Sequence, residues 1–407
     1  MRFRMKKLPV IYLLLMLAAF GPVSLADGDT GAIAPDITDR ADIRLSINKS
    51  RMPLMFDGNY KTEWRDDDNG FMVIRLPEDK PCHTLYILTQ GKPDKLCIEE
   101  PVDGKWRQIS LDFERFNTHC IPLDGLTEFR VRVTDGALRV IELRLYGAGQ
   151  LPDNVVNYTS TTDKADLMIL ACHPDDDILW MGGLLPVYGG QLDMKVQMVY
   201  MTSHFHYRRC EAMDAMWHCG LKSGPVFLGL QDIEKMPYQE ILNAWGGEEA
   251  TEQLIARQIR RFRPEVLVTQ DIKGEYGHPQ HRLMTRACIR AIAVAADPDE
   301  ESLSDLPPWE VKKFYIHLYP ENALTLDMDR PLSAFGGKTP GQVAQEAYLF
   351  HVSQQAGPYK VAVDGPYDMK KYGLYHTAVG PDEAHDGLFE NIDGLYEREK
   401  AFYHAEP

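Results

Sequence analysis

The chain has 407 residues and a formal net charge of -16, with 60 acidic and 44 basic side chains. A surplus of this sign repels nucleic acid and anionic membranes, which excludes them as main partners. The length predicts two domains, and an odd count of seven cysteines in a chain of this size does not predict a disulfide scaffold.

The first 26 residues have the pattern of a secretory signal peptide. Four basic residues precede an apolar stretch over 8–20, and small residues over 24–26 suit cleavage before Asp27. The apolar stretch is short for a membrane helix, and an uncleaved anchor is the alternative. The pattern predicts a secreted, cell-surface or periplasmic protein without stable membrane insertion after cleavage.

Residues 36–149 have the pattern of an all-β domain. Short β-type runs separated by Gly, Pro and Asp turns lie at 71–76, 83–90, 95–100, 106–113, 128–135 and 138–146. In the fifth run apolar and basic residues alternate, which buries one face and solvates the other. The alternation changes phase between Val140 and Ile141, which predicts a bulge. These features predict a β-sandwich, followed by a linker over 150–163.

The cysteines are divided between the two halves of the chain. Cys82, Cys97 and Cys120 lie in the β domain, where an oxidised Cys82–Cys120 or Cys97–Cys120 pair is compatible with the sequence. Cys172 lies on a predicted buried strand and is expected to stay reduced.

Residues 164–407 alternate strands and helices, as a parallel sheet requires. Strands are predicted at 166–172, 195–202, 225–230, 265–270 and 313–319. Helices are predicted at 178–188, 207–219, 249–262, 279–295 and 340–354. The segment after Gln355 is too aromatic for disorder and is expected to pack on this domain.

A cluster of metal-type ligands follows the first of these strands. The sequence from 173 to 177 is His-Pro-Asp-Asp-Asp, directly after an apolar run. In open α/β sheets the site lies beyond the carboxyl ends of the strands. His173 and Asp176 can both point at one cation, and Asp175 is then left free as a base beside it.

A second ligand motif follows the strand predicted at 265–270. It contains His278 and His281, with Pro279 at a position suited to the start of a helix. Catalytic zinc commonly takes three protein ligands and keeps a fourth position for water. His173 and Asp176 with one of His278 or His281 complete that set.

These two motifs, HPDDD at 173–177 and GEYGHPQH at 274–281, resemble the signatures of the PIG-L/LmbE-like family of zinc-dependent N-acetylglucosaminyl deacetylases. An Arg-x-x-Glu helix at 208–211 and a His-Val-Ser-Gln element at 351–354 extend the resemblance over 164–355. It implies a Rossmann-like α/β fold. The domain at 36–149 resembles, more loosely, the discoidin-like galactose-binding jelly roll, a glycan-binding module.

The family resemblance implies a role for each matching position. His173, Asp176 and His281 would hold the metal, and Asp175 would be the general base. His278 would face the reacting carbonyl, Tyr276 would be a phenol donor near the oxyanion, and Arg208 would contact the sugar. The family usually has Glu at the position of Asp177 and often Asp at that of Gln280, so these two residues, expected near the substrate, depart from the pattern. With Gln280 neutral, the protonation state of His278 stays open.

Each candidate also has an ordinary structural interpretation. HPDD alone can cap a helix, Arg208 and Glu211 can form a surface ion pair, and His351 can be a core histidine. His204 and His206, after the second strand, are candidates for the pocket lining, with solvated loop positions as the alternative.

The chemistry of these residues fits amide hydrolysis. Zinc lowers the pKa of bound water to about 7, and a carboxylate such as Asp175 can take its proton. Iron(II) also suits two imidazoles and a carboxylate. The sequence therefore predicts an exported metal-dependent hydrolase that deacetylates an N-acetylated amino sugar or glycan. The alternatives are an amidase acting on a sugar conjugate or other acylated amine, and a non-catalytic glycan-binding protein.

Overall fold

A computed structural model describes residues 32–66, 70–90, 96–109, 118–134, 136–203, 205–233 and 236–404. The chain divides into two compact units, Met1–Thr159 and Ser160–Pro407. The signal-peptide prediction at 1–26 lies outside the described residues. Within the described ranges, none of the helices combines the length and apolar character needed to cross a membrane.

The first unit consists of two antiparallel sheets around one core. Its strands are β1 (Asp42–Leu45), β2 (Trp64–Asp66), β3 (Phe71–Arg75), β4 (Cys82–Thr89), β5 (Leu96–Val102), β6 (Lys105–Gln108), β7 (Thr118–Leu126), β8 (Glu128–Val133) and β9 (Leu138–Tyr146). The sheets have the orders β1-β3-β8-β5-β6 and β2-β9-β4-β7. Trp64, Met72 and Phe129 are fully buried in the core between them. Three strands were not predicted: β1 and β2 are short, and β7 contains Pro122 and Gly125, which are depleted in strands.

The strand pattern of this unit follows the predicted alternation. Phe129 and Val131 are buried, whereas Arg130 between them is partly exposed. The predicted bulge is confirmed, because Leu88 of β4 pairs with Glu142 and Thr89 with Val140, which leaves Ile141 without a partner.

All seven cysteines are free. The register of β4 and β7 places Cys120 opposite Tyr86 and Cys82 opposite Leu126, while Cys97 belongs to the other sheet. Neither of the two pairs that are compatible with the sequence is formed. Cys172, which is expected to be reduced, is a buried free cysteine.

The second unit is built on one seven-stranded sheet. Its strands are β10 (Leu167–Ala171), β11 (Val196–Thr202), β12 (Val226–Leu230), β13 (Val266–Thr269), β14 (Lys313–His317), β15 (Ala323–Thr325) and β16 (Lys371–Thr377). Its helices are α1 (Asp176–Met181), α2 (His206–His218), α3 (Tyr238–Ala244), α4 (Glu248–Phe262), α5 (Pro279–Ala296), α6 (Pro340–Tyr348) and α7 (Leu395–Tyr403).

The sheet has the order β12-β11-β10-β13-β14-β16-β15. The first five strands are parallel, and every residue of β10 is buried, as the apolar run predicts. The five predicted strands thus form a parallel sheet as expected, but the whole sheet is mixed, because the unpredicted β16 pairs antiparallel with both β14 and β15. The aromatic segment after Gln355 thus packs on this unit as part of its sheet.

Two predicted helices are shorter than expected. The helix predicted at 178–188 breaks after Met181, where Gly183 lies against Met328 so closely that a Cβ atom would be 2.4 Å from its sulfur. The chain continues as a π-helix, Leu185–Gln191. The helix predicted at 340–354 ends at Tyr348, and Ser353 beyond it bonds to Glu211 instead of continuing the helix.

Candidate metal centre and active site

The two ligand motifs meet at the carboxyl ends of neighbouring strands. β10 and β13 are paired in parallel, so the loops that follow them open at the same edge. There His173 Nδ1 lies 2.9 Å from Asp176 Oδ2 and 3.1 Å from His281 Nε2. The third side of this triangle, His281 Nε2 to Asp176 Oδ2, is also 3.1 Å. All three residues are buried.

This triangle fits a single divalent cation. Three ligands at zinc distances of about 2.0–2.2 Å in a tetrahedral arrangement have their donor atoms a little over 3 Å apart. Burial alone would lower the pKa of His281, but Asp176 and Glu275 raise it to about 9. The pKa of Asp176, which burial alone would raise, is held well below its usual range by His281 and His173. The centre therefore attracts positive charge.

Cys172 adjoins the centre without completing it. Its sulfur lies within 4.8 Å of the other three donor atoms and 3.8 Å from His173 Nε2, the nitrogen on the far side of that ring. Burial raises the pKa of the Cys172 thiol to about 11. Because the thiolate is the form that binds metals, the two histidines and Asp176 make the better ligand set.

Glu275 fixes the orientation of His281. Its Oε2 lies 2.7 Å from His281 Nδ1, and its Oε1 accepts a hydrogen bond from the Asp271 amide and lies 3.3 Å from His317 Nδ1. A carboxylate on the outer nitrogen of a ligating histidine fixes its tautomer and raises its basicity. Sequence reasoning missed this residue, although a charge inside the GEYGH motif was a signal for it.

Gln280 and Asp232 contact the outer nitrogen of His173, as Glu275 contacts that of His281. Gln280 Oε1 lies 3.1 Å from His173 Nε2 and accepts the Ile233 amide, and Asp232 Oδ1 lies 3.4 Å from the same nitrogen. Gln280 is fully buried. Gln280 thus contacts His173, and its expected contact with substrate stays a prediction. Asp232, missed in the sequence, follows β12 and obeys the same strand-end rule as the motifs.

Replacing Glu275 by glutamine is expected to weaken zinc binding by about 10–100-fold, the usual effect of losing a carboxylate behind a ligating histidine. The change keeps the shape of the side chain but removes the charge that orients His281. Competition with a chromophoric chelator measures the affinity.

Glu265→Gln is the matched control for this prediction. Glu265 is also a buried carboxylate, but it pairs with Lys164 and Lys312 rather than with a histidine. Zinc affinity equal in both variants would show that Glu275 does not support the centre.

Asp175 lies beside the three ligands and is held by an arginine. Arg208 Nη2 donates to Asp175 Oδ1 at 2.7 Å, and Arg208 Nη1 donates to Asp232 Oδ2 at 2.9 Å. Burial raises the pKa of Asp175 to about 6, against the opposing effect of Arg208. Arg208 is thus held by two carboxylates, and its expected contact with the sugar stays a prediction.

His278 caps α5 and lies against the centre. Its Nδ1 accepts the Gln280 amide, and its ring lies 4.4 Å from that of His281 and 4.8 Å from that of His173. Burial and the two neighbouring histidines lower its pKa to about 3. Both the lowered pKa and the acceptor role of Nδ1 favour a neutral His278 with its proton on Nε2.

Tyr276 lies at the mouth of the site. Its side chain is 40% exposed, and its ring lies 5.7 Å from that of His278 and 6.0 Å from that of His281. Burial raises the pKa of its phenol, with a further contribution from a hydrogen bond with Tyr359. The hydroxyl thus stays protonated and can donate.

The remaining candidates lie in different places. Asp177 is 1% exposed in the first turn of α1, where burial raises its pKa to about 7, and its expected place near the substrate stays a prediction. His204 lies outside the described residues. His206 is the first residue of α2.

The Arg-x-x-Glu element at 208–211 and the His-Val-Ser-Gln element at 351–354 are joined by hydrogen bonds. Glu211 is buried, and its carboxylate accepts the Ser353 amide at 2.9 Å and the Ser353 hydroxyl at 2.6 Å. The alternative of a surface Arg208–Glu211 ion pair is therefore wrong. His351 is fully buried, as its core-histidine interpretation predicts.

Comparison with known proteins places this site in a family. Residues 168–292 match the family model described as PIG-L: GlcNAc-PI de-N-acetylase. A 1D-myo-inositol 2-acetamido-2-deoxy-alpha-D-glucopyranoside deacetylase of Frankia casuarinae is 40% identical and covers 40% of this chain and 62% of its own length. The Catenulispora acidiphila protein of the same name is 27% identical over 48% of this chain and 68% of its own.

The chain thus spans less than two thirds of the first of these relatives. Among solved structures, the N,N'-diacetylchitobiose deacetylase of Pyrococcus horikoshii is similar at 19% identity and a TM-score of 0.35, covering 47% of this chain and 71% of its own. The family match covers β11, β12, β13 and nearly all of β10, and it contains the four residues His173, Asp175, Asp176 and His281. The chain therefore carries a domain of the PIG-L family at residues 168–292.

Proposed function

We propose that this protein is an exported, metal-dependent hydrolase that removes the acetyl group from an N-acetylated amino sugar. The observation that carries the proposal is the triangle of His173, Asp176 and His281 with Asp175 beside it. Three ligands of this type leave a position open for water, and an adjacent carboxylate supplies the base.

His173, Asp176 and His281 would hold zinc or iron(II). Zinc in such a site lowers the pKa of bound water to about 7 and polarises a carbonyl. Gln280, Asp232 and Glu275 keep the two imidazoles turned toward the ion. Trp180 Nε1 donates to Asp176 Oδ1 at 3.0 Å, and the His173 amide donates to Oδ2 at 2.7 Å, so both bonds orient the carboxylate whose Oδ2 lies beside the two imidazoles.

Asp175 moves the proton. Arg208 occupies its Oδ1, so Oδ2 is available to accept a proton from the attacking water. The water oxygen bonds to the acetyl carbon, and the carbon–nitrogen bond then breaks. Asp175 returns its proton to the departing nitrogen, so the products are acetate and a free amine.

His278 and Tyr276 stabilise the charge that develops on the acetyl oxygen. Neutral His278 carries its proton on Nε2 because Nδ1 is engaged by the Gln280 amide. It therefore acts as a hydrogen-bond donor without a charge of its own. The phenol of Tyr276 supplies a second donor, and loss of one such donor costs about 2.7–4 kcal/mol in other hydrolases.

The choice of an amino sugar is supported by the relatives, which are named as deacetylases of an acetamido-glucopyranoside. An amidase acting on another acylated amine would use the same centre and is the alternative within the enzyme class. A silent glycan-binding protein is disfavoured, since every ligand and the base are retained.

We further propose that the first unit is a discoidin-like jelly roll that binds glycan, that the second has a Rossmann-like arrangement, and that the two are joined by the linker at 150–163. Export follows from the N-terminal pattern at 1–26. A glycan-binding unit raises the effective concentration of the catalytic unit at a polymeric substrate.

The test is a product analysis. Metal-loaded protein is incubated with N-acetylglucosamine, N,N'-diacetylchitobiose and an acetamido-glucosyl inositol, and acetate and primary amine are measured together. Equal release of both from at least one sugar is expected. Release of acetate only from non-sugar amides would favour the amidase alternative, and release from none would contradict the proposal.

A further inference from the structure

An aromatic cluster adjoins the metal centre on the side of α1. Trp180 lies at its middle, with ring centroids 5.8 Å from Tyr276, 5.9 Å from Tyr359 and 5.6 Å from Tyr367. Tyr276 and Tyr359 are stacked at 4.7 Å, with 27° between their planes. Neither Tyr359 nor Tyr367 belongs to the family match at 168–292.

The cluster is fixed to the metal centre through Trp180. The same indole that contacts the three tyrosines donates its Nε1 hydrogen to Asp176. The segment that carries Tyr359 and Tyr367 is tied to the same helix, because the Ala362 amide donates to the Leu179 carbonyl at 2.9 Å. The aromatic rings therefore keep a defined position relative to the reacting atoms.

The outer members of the cluster are open to solvent. Trp180 is 3% exposed and supports the others, whereas Tyr276 and Tyr359 are 40% and 39% exposed. Exposed aromatic surface next to a cluster of buried polar groups indicates a place for a ligand. The face is made of phenols, so each ring also offers a hydroxyl at its rim.

We propose that the Tyr276–Tyr359 pair is a subsite for a second sugar ring, attached to the N-acetylated sugar that reacts at the metal centre. The inference rests on the proposed function and assigns its substrate to glycosides of at least two rings. The positively polarised C–H face of a pyranose or cyclitol matches the negative face of an aromatic ring. The hydroxyls of such a ring can also form hydrogen bonds with the phenol hydroxyls, whereas an acyl chain has no hydroxyls to do so.

The subsite is tested by substrate preference. The ratio of kcat/KM for N,N'-diacetylchitobiose to that for N-acetylglucosamine is measured in wild type, Tyr359→Ala and Tyr359→Phe. Tyr359→Ala is expected to lower this ratio by about 10-fold, an effect typical of a lost stacking contact. Tyr359→Phe, which keeps the ring, is expected to retain most of the preference.

Tyr375→Ala is the matched control. Tyr375 has the same exposure, 38%, but its ring contacts Phe314 and Tyr319 and none of the cluster. An unchanged ratio in Tyr359→Ala, or an equal fall in Tyr375→Ala, would overturn the subsite while the proposed function stands.

A binding measurement separates the subsite from catalysis. Calorimetric titration of N,N'-diacetylchitobiose into zinc-loaded Asp175→Asn protein is compared with the same titration into Asp175→Asn/Tyr359→Ala. About 10-fold weaker binding in the double variant is expected. Equal affinity, or no binding to either protein, would overturn the subsite. Failure of wild-type protein to release acetate, with this difference in affinity intact, would contradict only the proposed function.

Discussion

His281→Ala protein is expected to lose its metal and its activity together. His281 contributes one of the three donor atoms, and its removal leaves His173 and Asp176, too few protein ligands for a stable catalytic site. Wild-type protein should carry about one zinc or iron per chain and the variant almost none after dialysis. Elemental analysis and acetate release are measured on the same samples.

The control for this variant is His218→Ala. His218 is also largely buried and lies 3.2 Å from a carboxylate, Glu346, but it is the last residue of α2 and its ring packs against Phe350. Full metal content in His281→Ala would refute the ligand assignment. Loss of metal from both variants would mean that the metal is lost through a general change in the fold.

Asp175→Asn protein is expected to keep its metal and to lose acetate release by about 10²–10⁴-fold, the range typical of general base catalysis. Asparagine is nearly isosteric and still offers an oxygen to Arg208, which also stays bound to Asp232. It cannot accept a proton from water. The readouts are the initial rate of acetate release and the zinc content.

Asp166→Asn provides the comparison for this change. Asp166 precedes the same strand, β10, at its opposite end, where its carboxylate accepts the Lys195 amide. Its replacement should leave the rate nearly unchanged. Near-normal release by Asp175→Asn would show that another group is the base.

The metal centre was predictable because its residues follow strands. The apolar runs before His173 and before Asp271 fix the ends of two strands, and a parallel sheet brings such ends to one edge. Which of His278 and His281 completes the candidate ligand set was not predictable from spacing alone. It depends on the direction of each ring, which the cap of α5 at His278 and the carboxylate of Glu275 determine.

The residues behind the ligands were the least predictable part of the site. Gln280 and Arg208 were expected to contact substrate, but both are engaged by other protein groups, His173 and Asp175. Such assignments depend on which side chain reaches which partner across three loops. Glu275 illustrates this, because its carboxylate contacts both His281 and His317. His317 lies in β14, 42 positions further along the sequence.

The fold was predictable where one hydrophobic pattern, either a continuous apolar run or a helical repeat, dominates a stretch of the sequence. The buried runs of β10 and β13 and the long helices α4 and α5 are of this kind. β16 was missed as a strand because its residues Lys371–Thr377 show no simple alternation, and pairing with β14 determines its conformation. That same C-terminal region supplies Tyr359, which the family motifs do not include.

The metal dependence of this protein is tested most directly by a zinc titration of the chelated protein with acetate release as the signal. Metal is removed with a chelator, zinc is returned in known equivalents, and the initial rate on an N-acetylated amino sugar is measured at each step. We expect almost no release without metal and a linear rise that ends at about one equivalent per chain. Full release by the metal-free protein, or none after zinc is restored, would contradict a metal-dependent deacetylase.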